Sequence, residues 1–226
     1  MLSKRLMAVL DYIGPNEKIV DVGCDHGYLA KAAVAKGVQY VQLVDNKKMP
    51  LARAKANLSA IEQDANIIYT LASGLTLVTD EITVACICGM GGDLIASILE
   101  ESKKQAQRMH YLLLQPNTKV EHLRAYLSQQ AFLILDEQWV VEKEKYYPIL
   151  KVRYVPDTLP LSPLEIAYGP CLLRHPSDTF IAYLKRRRTE LDTIVQTLDV
   201  SSQDYAKIDL QIQEIEEVLH GIKENH

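Results

Sequence analysis

Between residues 18 and 116 the chain alternates short, continuously apolar runs with stretches in which apolar side chains recur every three or four positions. The runs at 18–22 (KIVDV), 40–44 (YVQLV), 67–71 (IIYTL), 82–87 (ITVACI) and 111–114 (YLLL) lack the in-out alternation of a strand with one wet face. They predict strands of a parallel sheet covered on both sides. Residues 28–36, 50–61, 92–105 and 119–130 carry the helical period between them. Such an alternation predicts a doubly wound α/β sheet, with ligands received at the carboxyl ends of the strands.

The pattern then changes twice. Two β-rich runs at 132–141 and 146–155 flank the charged break at 142–145 and predict an antiparallel hairpin with a longer loop. Pro156, Pro160 and Pro163 punctuate a linker, followed by a short helical piece and Gly169-Pro170. From Ser177 onward, Ile181, Leu184, Leu191, Val195 and Leu198 fall near heptad positions. So do Ile208, Ile215 and Ile222, with Ile212 and Leu219 beside them, and residues 199–203 supply the break. This spacing predicts two antiparallel helices with a coiled-coil seam, whose exposure would favour a homodimer. The expected division is residues 1–156 and 157–226.

A chain of 226 residues that is 48% hydrophobic and 24% charged can bury a substantial core and is not a disordered one. No apolar run approaches the roughly 18 residues of a membrane span, and the opening segment breaks at Asp11, so a cytoplasmic protein with no membrane partner is expected. Cys24, Cys86, Cys88 and Cys171 form no CxxC pair and read as buried free thiols; no metal ligands converge, and metal-independent chemistry is expected. Net charge is −4. The stretch from Asp157 carries seven basic against twelve acidic side chains, so a polyanion would have to be held by local patches.

The segment Ile19-Val20-Asp21-Val22-Gly23-Cys24-Asp25-His26-Gly27-Tyr28-Leu29 reads as a strand, a glycine turn and a helix start. Backbone N–H groups and a helix N-terminus would face a ligand there. Its D-x-G-x-x-x-G spacing is not that of a dinucleotide phosphate loop, and Asp25 would repel a pyrophosphate while suiting a ligand with a cationic amino group. Asp45 ends the second strand, where a carboxylate accepts hydrogen bonds from ribose hydroxyls; capping of the next helix is the alternative. Ser73-Gly74-Leu75 and Cys88-Gly89-Met90-Gly91-Gly92 follow the third and fourth strands, and their glycines would let a flat ring approach the backbone.

Taken together, LSKRL at Leu2, DVGCDHGYL at Asp21, the Pro50-x-x-x-Ala54-x-x-Asn57 helix, CGMGGDLI at Cys88 and LLQPN at Leu113 resemble the class I S-adenosylmethionine-dependent methyltransferases. More narrowly they are similar to the bacterial tRNA (adenine-N1)-methyltransferases that modify adenine 22. The resemblance implies a Rossmann-like, mostly parallel sheet ending in an antiparallel hairpin, with an appended helical coiled-coil hairpin. It implies S-adenosylmethionine as cofactor and tRNA as partner. Asp21, Gly23 and Asp25 would line the methionine end, Asp45 and Asn46 the ribose, and Ser73, Gly74 and Leu75 the adenine. Cys88, Gly89, Met90 and Gly91 would lie beneath the sulfonium. His26 and Tyr28 begin the first helix on the cofactor side, a purely structural role being equally open for His26.

Gln115 and Asn117, with Asp25, are the candidate catalytic residues, because amides can read a base edge; capping around Pro116 is the alternative for both amides. Lys4, Arg5, Lys185, Arg186, Arg187 and Arg188 are candidates for tRNA phosphates, a solvated helix face being the alternative for the four-residue run. Two other readings stand beside this one: a methyltransferase of the same fold acting on a small molecule or protein, and a non-catalytic RNA-binding module that keeps the crevice.

Overall fold

The computed structural model describes residues 2–224. A helix with no counterpart among the expected elements, α1 (Lys4–Asp11), comes first. Ser3 caps it by accepting the Leu6 N–H at 3.4 Å, and Val9 and Ile13 are fully buried in the core shared with Ile19, Val41 and Leu113. Then follow β1 (Lys18–Val22), α2 (Tyr28–Ala35), β2 (Tyr40–Asp45), α3 (Lys48–Leu58), β3 (Asn66–Leu71), β4 (Val84–Gly91), α4 (Gly92–Glu101), α5 (Lys103–Arg108), β5 (Tyr111–Thr118) and α6 (Val120–Gln129). The hairpin β6 (Phe132–Glu142) and β7 (Lys145–Tyr154) and the short α7 (Pro163–Tyr168) complete this part.

One seven-stranded sheet runs in the order β3-β2-β1-β4-β5-β7-β6, parallel from β3 to β5, with β7 antiparallel to both its neighbours. The central strands are buried almost throughout, which is why they read as unbroken apolar runs. Strand order reverses at β1 and β4, the point where a doubly wound sheet opens a crevice at its carboxyl edge.

Three local differences from the expectations have physical causes. Pro50 lies inside the first turn of α3, where its missing N–H costs nothing, so the helix starts earlier than the proline suggests. The single helix expected over 92–105 breaks at Ser102, whose backbone leaves the helical region while its Oγ accepts the Leu75 N–H at 3.2 Å. The hairpin closes with a two-residue turn rather than a longer loop: Lys143 and Glu144 both have positive φ, 48° and 62°, the pairing whose twist matches that of the strands.

The chain divides into two compact units at Gly169/Pro170, thirteen residues beyond the expected boundary. α7 stays with the first because Arg124, fully buried on α6, donates to the Ile166 and Ala167 carbonyls at 3.3 and 3.0 Å and to Glu137 Oε1 on β6 at 2.7 Å. Gly169 has φ of 96°, and a Cβ there would press on the Glu137 carboxylate and the Arg124 guanidinium. The second unit holds α8 (Pro170–Arg174), α9 (Asp178–Val195) and α10 (Gln203–Glu224). α9 and α10 pack against each other and are bridged by Arg188 and Glu216 at 2.9 Å. Leu184, Leu191, Ile212, Ile215 and Ile222 are buried, whereas Ile181, Val195, Leu198, Ile208 and Leu219 of the expected seam stay partly exposed. Among the described residues no helix is long and apolar enough to cross a membrane, and no group of three or more His, Cys, Asp or Glu could hold a metal.

Removing one partner of a buried ion pair leaves the other charge uncompensated, at a cost of roughly 3–5 kcal/mol. Glu137→Ala should therefore lower unfolding free energy by about that much in urea titrations, and Glu137→Ala combined with Arg124→Met should recover most of it. A loss below about 1 kcal/mol, the scale of an exposed pair, would contradict a structural role for this contact.

Candidate active site

At the carboxyl edge of β1, β4 and β5 lies a cavity of about 420 Å³. Its wall includes Asp21, Gly23, Asp25, His26 and Tyr28 from the β1–α2 segment, Cys88 and Gly89 from β4, and Gln115 from β5. Cys24 and Leu29 complete the first of these segments, and Ser3, Arg5 and Leu6 close the cavity from α1.

The β1–α2 turn is built by positive φ angles at Gly23 (70°), Asp25 (45°) and Gly27 (67°). The Gly23 N–H bonds the Val44 carbonyl at 2.8 Å, stitching the turn to β2, and the Gly27 N–H returns to the Cys24 carbonyl at 2.7 Å. A Cβ on Gly23 would run into the Met90 methyl, and one on Gly27 into Leu58, Leu43 and Ala54. The motif helix α3 thus acts as a backstop: Ala54 leaves room for the turn, and Asn57 Nδ2 ties the His26 carbonyl at 3.1 Å. Asp25, a non-glycine residue in the left-handed region, is a strained position of the kind held only where its surroundings over-determine it. Its side chain is 65% exposed, with Oδ2 3.7 Å from His26 Nε2, and the His26 and Tyr28 rings stack at 5.4 Å.

Asp21 is buried on β1, and burial, offset in part by the Ala30 backbone N–H and reinforced by Asp45, raises its pKa to about 7. Gly27, the residue at the start of α2, has no side chain to cap it, and the Asp21 carboxyl takes over that task from the strand. Burial first, then the Asp21 charge, also pushes the Cys24 and Cys88 thiols up, which leaves them protonated and poor nucleophiles.

On the β5 side, Gln115 is fully buried. Its Oε1 accepts the Gly89 N–H at 3.1 Å and its Nε2 donates to the Pro116 carbonyl at 3.0 Å and to Asn117 Oδ1 at 3.2 Å. Asn117 is exposed, and its Nδ2 donates to the Gly89 carbonyl at 2.7 Å. The two amides therefore clamp the glycine loop of β4.

Other expected site residues lie outside the cavity wall. Asp45 Oδ1 accepts the Lys47 N–H at 2.9 Å, ordering the turn into α3, and Asn46 is exposed beside it. Ser73 is exposed, but Gly74 is packed on Ile98 of α4 and Leu75 is fully buried with its N–H committed to Ser102. Met90 covers Gly23, and Gly91 abuts Thr118. Among the basic candidates, Arg5 turns into the cavity wall, while Lys4 is exposed and gives its backbone N–H to Glu142 at 2.9 Å. Arg186 and Arg187 pair with Glu190, and Arg188 with Asp192 and Glu216; the solvated-face alternative accounts for these three, and Lys185 is exposed beside them. Ser3 and Leu6 were missed as lining residues. The Ser3 cap ahead of the apolar spacing Leu6, Val9 and Leu10 is the signal that marks their helix.

The family described as TrmK, tRNA (adenine(22)-N(1))-methyltransferase, matches residues 19–223. The chain belongs to this methyltransferase family. A Bacillus subtilis tRNA (adenine(22)-N(1))-methyltransferase is 34% identical over 157 residues, which span 66% of this chain and 63% of that protein, a little under two thirds of its length. A Streptococcus pneumoniae protein solved with S-adenosyl-L-methionine has a TM-score of 0.87 at 32% identity, covering 97% of this chain and 100% of that one. M. capricolum TrmK, solved with S-adenosyl-homocysteine, has a TM-score of 0.83 at 27% identity, covering 97% and 98%.

The sign of one pH effect follows from Asp21. Its ordinary pKa is 3.8 and its folded value about 7, so the stability contributed by the neutral acid is whole below about pH 4 and is lost as pH rises through 7. Thermal melts of the methyltransferase without added ligand should show this decline, and Asp21→Asn, which keeps an acceptor for Ala30, should flatten it. An unchanged slope in the variant would contradict the assignment.

Proposed function

We infer that the chain transfers a methyl group from S-adenosylmethionine to N1 of adenine 22 in tRNA. The observation that carries this reading is the cavity itself: a family member whose strand-end crevice is walled by a buried acid, a glycine loop and a clamped amide pair. At about 420 Å³ it falls within the usual range of small-molecule sites. Its buried acid, half ionised near neutrality, suits the ammonium of the methionine moiety, and a Cβ on Gly89 would meet nothing within 4 Å, which leaves that face open to a ligand.

Bound there, S-adenosylmethionine supplies a methyl group on a sulfonium, an already activated leaving group. The protein is left with alignment and charge. Asp21 and Asp25 bring negative potential to the methionine end, and Asp45 offers Oδ2 to the ribose while Oδ1 holds Lys47. Adenine N1 carries a free lone pair at neutral pH, so no general base is required, and the cationic product is favoured by the nearby carboxylates. N1 lies on the Watson–Crick edge, so the base has to be unpaired or flipped out to react.

Of the two amides, Asn117 is the one that meets the base, because Gln115 is buried and spends its hydrogen bonds on the Gly89 loop. Lys4 and Lys185, with the exposed Lys47 and Lys48 beside the crevice, are the cations best placed for phosphates.

Incubation of the enzyme with S-adenosylmethionine and a tRNA transcript should yield one methyl group, mapped by mass spectrometry to N1 of adenine 22, and a transcript carrying guanine there should not react. Methylation at N6, at a ribose oxygen, or of proteins or metabolites in preference to tRNA would replace this reading with another substrate on the same fold.

A further inference from the structure

Arg5 was expected to face tRNA phosphates, yet its side chain is only 29% exposed and is built into four elements. Nη1 donates to Asn117 Oδ1 at 3.0 Å, Nε lies 3.6 Å from Glu142 Oε2, and the guanidinium carbon sits 5.1 Å from the centre of the Tyr147 ring. Glu142 in turn accepts the Lys4 N–H at 2.9 Å, so the start of α1 is fixed to the end of β6 at the same point. Such a planar, forked and stacked arrangement is specific to arginine; lysine can reproduce the charge but not the geometry.

The consequence falls on Asn117. Its oxygen receives two donors, Arg5 Nη1 and Gln115 Nε2, and its nitrogen gives one hydrogen to Gly89. A flipped amide would set its NH₂ against both donors, so only one orientation is satisfied. What remains for a ligand at the crevice is a single N–H in a fixed direction.

We propose that Arg5 is a positioning residue for methyl transfer, locking the Asn117 amide so that its remaining N–H meets the extruded adenine in one pose. N1 has to keep its lone pair for the methyl group, so this hydrogen goes to another ring nitrogen. The inference rests on the tRNA-methylation reading above. The charge of Arg5 is spent on Glu142, and its effect on the reaction passes through the amide.

Steady-state kinetics on a tRNA transcript, with cofactor affinity measured by calorimetry, test this on wild type, Arg5→Lys, Asn117→Ala and the double variant. Arg5→Lys should lower kcat by about tenfold or more, as misplacement of a reacting group does, with KM for tRNA and cofactor affinity within about twofold of wild type. Unchanged cofactor affinity also reports that the crevice is folded. Arg5→Lys should cost almost nothing further in the Asn117→Ala background, the signature of two residues acting as one unit. A rise in tRNA KM with kcat preserved, deepening with salt, would make Arg5 a phosphate contact and overturn the proposal; so would losses that multiply in the double variant. Active wild type with unaffected Arg5→Lys overturns this inference alone, whereas wild type that methylates no tRNA overturns the functional reading and the inference with it.

Discussion

Asp21 occupies a strand buried on both faces, where a carboxyl group is costly unless hydrogen bonds or a partner charge offset its desolvation. It caps α2 through the Ala30 N–H, but that single bond leaves the acid near neutrality, with a pKa of about 7. The turn that follows has to climb out of β1, cross over Asp21 and enter α2 with the correct pitch. Its positive φ angles at Gly23, Asp25 and Gly27 and its stitching to Val44 are what that path requires. The half-satisfied acid at the floor and the glycines at the rim are two sides of one constraint: a helix start kept short of a side-chain cap so that a ligand's cation can complete it.

The opposite wall follows a different logic. There the chain places no titratable group, only two amides that saturate one another and the Gly89 loop. Methyl transfer to a ring nitrogen needs alignment far more than proton movement, and a wall of mutually locked amides is a rigid surface without chemistry of its own. The protonated thiols of Cys24 and Cys88 fit the same economy, since a reactive nucleophile beside a sulfonium would compete with the acceptor.

Much of this was legible in the residues. Continuous apolar runs marked the parallel strands because both sheet faces are covered, and the D-x-G-x-x-x-G spacing located the turn because its glycines answer backbone geometry. What was not legible depends on contacts distant in sequence. α1 was passed over although Ser3 and the spacing of Leu6, Val9 and Leu10 announce it, and with it went the lining role of Arg5, whose partners Asn117 and Glu142 lie more than a hundred residues away. Gly74 and Leu75 followed a strand end in the expected way, yet the break in α4 at Ser102 draws the loop inward and buries it, an outcome that no local pattern records. The boundary at Gly169 depends likewise on a buried arginine reaching across to two carbonyls.

The account makes cofactor binding and the ionisation of Asp21 one event. Calorimetric titration with S-adenosylmethionine between about pH 5.5 and 7, repeated in two buffers of different ionisation enthalpy, measures that coupling directly, the ligand's α-amino group staying protonated over this window. Affinity should rise with pH toward the Asp21 pKa of about 7, with protons released on binding, and Asp21→Asn should bind more weakly and lose the pH dependence. Affinity independent of pH, with no proton released by the wild-type protein, would contradict it.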